Sequence, residues 1–148
     1  MNKSYKGKYL VENKEKYIGT KQIIYRSSWE CKVCKFFDMS DNILKWSYES
    51  IVIPYVNVID GKTHRYYPDF YIEKKNKNGT ISKVIVEVKP KRQTLPPKEP
   101  KTNNWKSKRQ YMYDAETFVI NQCKWKSASA YCDKYGYEFQ IITEDDII

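Results

Sequence analysis

A single histidine, His64, occurs in the chain, which leaves no room for a metal site built on imidazoles. No apolar run approaches the roughly 20 residues that a membrane-spanning helix requires. The opening Met1-Asn2-Lys3-Ser4-Tyr5-Lys6 does not lead into the apolar segment of a signal peptide. A soluble, intracellular protein with no membrane partner is therefore expected. Cysteines are few and poorly spaced for zinc. Cys31 and Cys34 form a Cys-x-x-Cys pair inside a helical pattern, whereas Cys123 and Cys132 are separated by eight residues; reduced core thiols are the better reading. Internal repeats are absent. Acids are scarce in one stretch: between Lys89 and Arg109 only Glu99 stands against Lys89, Lys91, Arg92, Lys98, Lys101, Lys106, Lys108 and Arg109. A formal charge of +9 so distributed favours a polyanionic partner, although solvated loops are often Lys-rich too.

What is present is a chain of 148 residues, rich in aromatics and long enough to bury a core, so residues 1–148 are expected to form a single domain. Its organising stretch runs from Tyr66 to Pro90. Tyr66-Tyr67-Pro68-Asp69-Phe70-Tyr71-Ile72 and Val84-Ile85-Val86-Glu87-Val88-Lys89-Pro90 flank a turn ending in Asn78-Gly79, the pattern of a β-hairpin. With the turn near Asn78, Asp69 lies opposite Glu87, Phe70 opposite Val86, Ile72 opposite Val84 and Glu73 opposite Lys83, matching apolar with apolar and acid with base. Side chains alternate faces. Phe70, Ile72, Val84, Val86 and Val88 form a core-facing set, while Asp69, Glu87 and Lys89 share the other side. Two carboxylates and a lysine so placed suit Mg²⁺, which takes oxygen ligands, keeps waters and is usually completed by substrate phosphate. The lysine would orient water or neutralise charge on a phosphoryl oxygen. A surface salt bridge is the rival reading. The adjoining basic segment favours the first, since it suits a nucleic acid held over a metal.

Elsewhere, residues 1 to about 25 form a Lys/Tyr-rich arm, expected to pack along the domain. Ser27 as N-cap with Glu30 three residues on is a capping box, opening a helix whose buried face is Trp29, Val33, Phe36 and Phe37. Glu30 is explained equally by capping or by leaning over the hairpin. Ser50 to Val56 reads as a strand with Pro54 at an edge or bulge, Asp60-Gly61 as a turn, and His64 onward as the strand carrying Asp69, giving a three-strand meander. Lys91 to Asn104 is a long loop. Helix resumes at Trp105, with Asn121 as a cap or kink, and Gly136 stops it. Tyr137 to Ile142 is a last strand, able to join the sheet in parallel.

Pro68-Asp69 followed by Glu87-Val88-Lys89 resembles the signature of the PD-(D/E)xK nuclease superfamily. The element order matches that family's restriction-endonuclease-like core, α-β-β-β-α-β, an α/β (α+β) mixed sheet flanked by helices. Tyr25-Arg26-Ser27-Ser28-Trp29-Glu30, Lys45-Trp46-Ser47, Asp60 to Tyr66 and Asn121…Lys124-Trp125 are similar to the head completion nucleases of T4-type tailed phages. The resemblance implies a metal-dependent deoxyribonuclease acting on packaged double-stranded DNA before head and tail join, in company with portal, neck or other head-completion proteins. It implies Asp69 and Glu87 as metal ligands with the Val88 carbonyl and the Glu30 side chain as further candidates. Lys89 is the implied catalytic lysine, Mg²⁺ the cofactor with Mn²⁺ substituting, and no nucleotide cofactor is implied. Lys91, Arg92, Gln93 and Lys124 are the expected DNA contacts. Rival readings are a DNA-end-binding assembly protein, or a nuclease of transposition, repair or restriction.

Overall fold

The computed structural model describes residues 4–146. In chain order its elements are β1 (Ser4–Tyr9), β2 (Ile23–Ser27), α1 (Ser28–Met39), β3 (Ile43–Tyr48), β4 (Ile53–Asn57), β5 (Lys62–Tyr66), β6 (Phe70–Lys75), β7 (Ile81–Val88), a 3₁₀ turn (Lys91–Thr94), α2 (Trp105–Tyr135) and β8 (Glu138–Ile142). The alternation read from the sequence sets the central hairpin: Phe70 pairs with Val86, Ile72 with Val84 and Glu73 with Lys83. Four strands make the central sheet in the order β3-β6-β7-β8, with β8 parallel to β7 after the α2 crossover and the other pairs antiparallel. This is the mixed sheet flanked by helices that was expected.

Both faces of the sheet are covered. Phe70, Ile72, Val84 and Val86 meet Trp29, Val33 and Phe37 of α1, together with Trp46, in one core. Tyr71 and Ile85 turn the other way, onto Trp125, Ala128 and Cys132 of α2 and onto Ile53, Tyr55 and Tyr66. Each large apolar side chain so buried contributes roughly 1.5–3 kcal/mol. The face carrying Glu87 is thus a second core, an arrangement the alternation did not reveal. Cys34 and Cys132 are buried thiols in these cores.

Several expectations are corrected. The strand beside β6 is Ile43–Tyr48, not Ser50 to Val56; of the latter only Ile53 onward is strand, in β4, which among the described residues pairs with β5 in a separate ribbon. Pro54 sits in that two-stranded ribbon opposite Arg65, where a missing N–H is tolerated. His64 lies on β5 rather than on the strand leading out of Asp69, and its Nε2 is 2.7 Å from Oδ2 of Asp60. Phe36 is exposed, one position off the buried stripe of α1. Asn121 neither caps nor kinks α2, a helix of 31 residues. Gly136 ends it at φ 75°, as the sequence indicated.

The N-terminal arm packs along the domain as expected, in the form of a two-stranded ribbon, and its residues 1–3 lie outside the described residues. β1 pairs with β2, and Tyr9, Val11 and Tyr17 pack on the first core. Its anchor is Asp38, buried at the end of α1. The carboxylate accepts from the Tyr9 hydroxyl (2.8 Å) and from the amides of Glu12 (2.8 Å) and Asn13 (3.0 Å). Lys16 Nζ donates to the carbonyls of Asp38 and Ser40 at 2.9 and 2.7 Å, closing the helix C-terminus. Asp38→Ala removes a buried carboxylate that gathers three part-buried donors and is expected to lower the unfolding free energy by about 2–4 kcal/mol. An unchanged urea midpoint would contradict that.

Candidate active site

β6 begins just after the buried Pro68, so Asp69 stands at the mouth of the central hairpin, one step beyond the Phe70–Val86 pair. Its Oδ2 accepts from the Val88 amide at 2.8 Å, which ties the end of β6 to the end of β7 and leaves Oδ1 for another partner. Glu87 is buried on the α2 side of the sheet. The Asp69 carboxyl is held well above the usual carboxylate range, first by burial, then by the facing charge of Glu87, with the Val88 amide working the other way. An acid raised by burial and by a neighbouring carboxylate is what a cation would relieve. Lys89 brings its ammonium to 3.8 Å from Oε2 of Glu87. Its backbone N–H donates to the Ile142 carbonyl at 3.0 Å, so β8 fixes the lysine's position.

Two helices close over this group. Glu30, at the start of α1, has its carboxyl raised by burial, opposed by the Arg26 amide and the Arg26 charge, and it feels Lys89. Ser27 Oγ accepts from the Glu30 amide at 3.1 Å, while Oε2 of Glu30 accepts from the Arg26 amide at 3.2 Å. Capping and approach to the site therefore coexist at one residue. From α2, Lys124 Nζ lies 5.7 Å from the Tyr66 ring centroid and 5.8 Å from that of Tyr55. Burial and then the neighbouring Lys89 lower its ammonium below the ordinary lysine value, against the pull of Glu87 and Asp69. Lys89 and Lys124 thus approach the carboxylate pair from different elements.

Sequence reasoning missed three members of this region. Tyr66 is buried beside Glu87 and Trp125; burial and the Glu87 charge push its phenol up. Its hydroxyl, Nε1 of Trp125 and Nδ2 of Asn121 are buried without a well-aligned hydrogen-bond partner. Such groups are rare in folded proteins and often mark a place where water or a ligand completes the structure. A signal existed for Asn121. The stripe Asn121, Trp125, Ala128, Cys132 has the spacing of a buried helix face, and a polar amide on it is the anomaly.

The basic segment divides. Lys91 is bound to the acidic C-terminal segment, its Nζ 2.8 Å from Asp145 and its amide 2.6 Å from Glu144. Arg92 and Lys98 remain exposed, and with Gln93 they border a cavity against α2.

Among the described residues no three His, Cys, Asp or Glu side chains gather as a self-sufficient metal cage. The donor set is instead one of paired carboxylates with a lysine and unfilled polar neighbours. That set fits Mg²⁺ or Mn²⁺, which are commonly held by one or two carboxylates and completed by water and phosphate. Cys34 and Cys132 are buried in the two apolar cores, Cys123 packs against the second, and Cys31 is half-buried on α1.

Residues 40–144 match the family model described as the TnsA-like endonuclease N terminal domain. The chain is also similar to the protein named head completion nuclease of Enterobacteria phage T4, with 35% identity over 145 residues, covering 97% of this chain and 94% of that one.

Proposed function

The chain belongs to the TnsA-like endonuclease family and is a nuclease; on that premise we propose that it hydrolyses DNA phosphodiester bonds with a divalent cation, Mg²⁺ by preference, while a tailed-phage head is completed. The observation that carries the reading is the juxtaposition of Asp69 with the buried Glu87, beside Lys89 at 3.8 Å. Asp69 and Glu87 would hold the cation, with the Val88 carbonyl and Glu30 as candidate additions. Once bound, such an ion supplies Lewis acidity toward the phosphate and a more acidic water.

The chain's own residues supply the rest. Lys89, fixed through β8, places a positive charge where negative charge develops on the phosphoryl oxygens and can position the attacking water. Lys124 faces the same space from α2 and balances the charge of the substrate. The orphan donors of Tyr66, Trp125 and Asn121 offer hydrogen bonds to water or phosphate at the α2 side. Arg92 and Lys98 contribute sequence-independent attraction to the DNA backbone, so binding should weaken steeply with salt. The family description alone would fit transposon-end cleavage equally well. Similarity to a head completion nuclease along nearly the whole chain favours the phage role.

Purified protein is expected to degrade plasmid or linear duplex DNA with Mg²⁺ or Mn²⁺ and to stop when the ion is chelated. Equal DNA loss in chelator, or none with either ion, would refute the reading.

A further inference from the structure

α2 is about 46 Å long at 1.5 Å per residue, yet its buried residues begin only at Asn121. Residues 105–120 are exposed or half-buried, and one side of them faces the loop that follows Lys89. Between that loop and α2 lies an open cavity of about 620 Å³, within the range of small-ligand pockets. One wall is Leu95, Pro96 and Pro97; the other is Tyr113 and Phe118. Arg92, Gln93 and Lys98 border it, and Asn121 lines it with Nδ2 buried and unpartnered. Asp114 also lines it, its Oδ1 accepting from Gln110 at 2.9 Å. Apolar and aromatic walls, a cationic border and a buried amide describe a receptacle for a flat, hydrogen-bonding ring attached to a phosphate.

We propose that this cavity receives one unpaired nucleotide of the DNA being cut, so that the preferred substrate carries a single-stranded tail or opened end rather than a blunt duplex. The inference rests on the nuclease reading above and names its substrate class. Three observations converge on it. The cavity's border begins at Arg92, three residues after Lys89 in the chain, so a strand leaving the carboxylate pair would pass it. A duplex base cannot enter such a recess without leaving its stack, whereas an unpaired one enters at little cost. From Tyr113 in the cavity wall, Arg109 and Trp105 follow at intervals of four toward the start of α2, all three exposed, giving further bases a cation and a ring to stack on.

The test is binding in chelator, where no cleavage occurs, of blunt duplex and of the same duplex with a single-stranded tail. A fluorescent adenine analogue in the tail reports stacking. The wild-type chain is expected to bind tailed DNA about tenfold more tightly and to quench the analogue. Tyr113→Ala is expected to reduce that preference about tenfold, since a base–aromatic stack is worth about 1–3 kcal/mol. Tyr113 is exposed, so this variant avoids the folding risk of Asn121→Ala. Equal affinity of the wild-type chain for both DNAs, or an unaltered preference in Tyr113→Ala, overturns the proposal. Cleavage of either DNA with Mg²⁺ is scored separately, so failure of the nuclease reading is distinguishable from failure of the tail preference.

Discussion

Asp69→Asn is expected to abolish metal-dependent cleavage while making the metal-free protein more stable near neutral pH. The first effect follows from losing one of two carboxylates: a cation stabilises the transferring phosphate by several kcal/mol, and at 1.36 kcal/mol per tenfold the loss is about 10³-fold or more. The second follows from the raised carboxyl of Asp69, caused by burial and then by Glu87. A group whose folded pKa exceeds its unfolded value of about 4 stabilises most when protonated. That contribution is complete below the unfolded value and is lost as pH rises through the elevated folded value. Asparagine stays neutral and escapes the loss. Melting in chelator should therefore show the variant above wild type near neutrality, with the curves converging in acid. Mg²⁺ should raise the wild-type midpoint and scarcely move that of Asp69→Asn. A variant that melts lower at every pH would mean that Asp69 serves the fold through Val88 and not as half of a strained pair.

Lys89→Met is expected to reduce kcat by about 10²–10⁴-fold, the range for a positioned proton-transfer or charge-stabilising group, with little change in KM. Lys124→Met should cost less, about tenfold, and act partly through KM, because the side chain reaches the carboxylate pair from α2 and makes no direct ion pair with it among the described residues. Single-turnover kinetics at saturating DNA separate the two. If Lys124→Met proves the more damaging in kcat, the catalytic lysine is the one on α2, and Lys89 serves chiefly to neutralise Glu87.

The central hairpin was legible because its information is local. Alternating Phe70, Ile72, Val84 and Val86 allow one register across a short turn, and Asp69, one step past the Phe70–Val86 pair, feels the charge of Glu87. The partner of β6 on its other side was not legible. Ile51-Val52-Ile53 is the more β-branched run, but Trp46 and Tyr48, entering the same core as Phe70, decide the pairing through contacts distant in sequence. Asn121 misled for a related reason: a polar residue in a helical run reads as an end unless its cavity is known. The tie between Lys91 and Asp145 joins parts of the chain that no pattern links. Glu30 was the reverse case: two readings competed in the sequence, and the capping one is met by the Ser27–Glu30 hydrogen bond, while its charge is felt by Asp69.

The parallel partnership of β7 with β8 carries a consequence for biosynthesis. The strand that seats Lys89 is translated only after the whole of α2, and the Lys89 amide finds its acceptor only once Ile142 exists. A growing polypeptide can therefore close the hairpin and bury Phe70 against α1 while its cutting apparatus is still unassembled. Nuclease activity is then expected only once the ribosome has passed β8, and fragments ending within α2 should lack it.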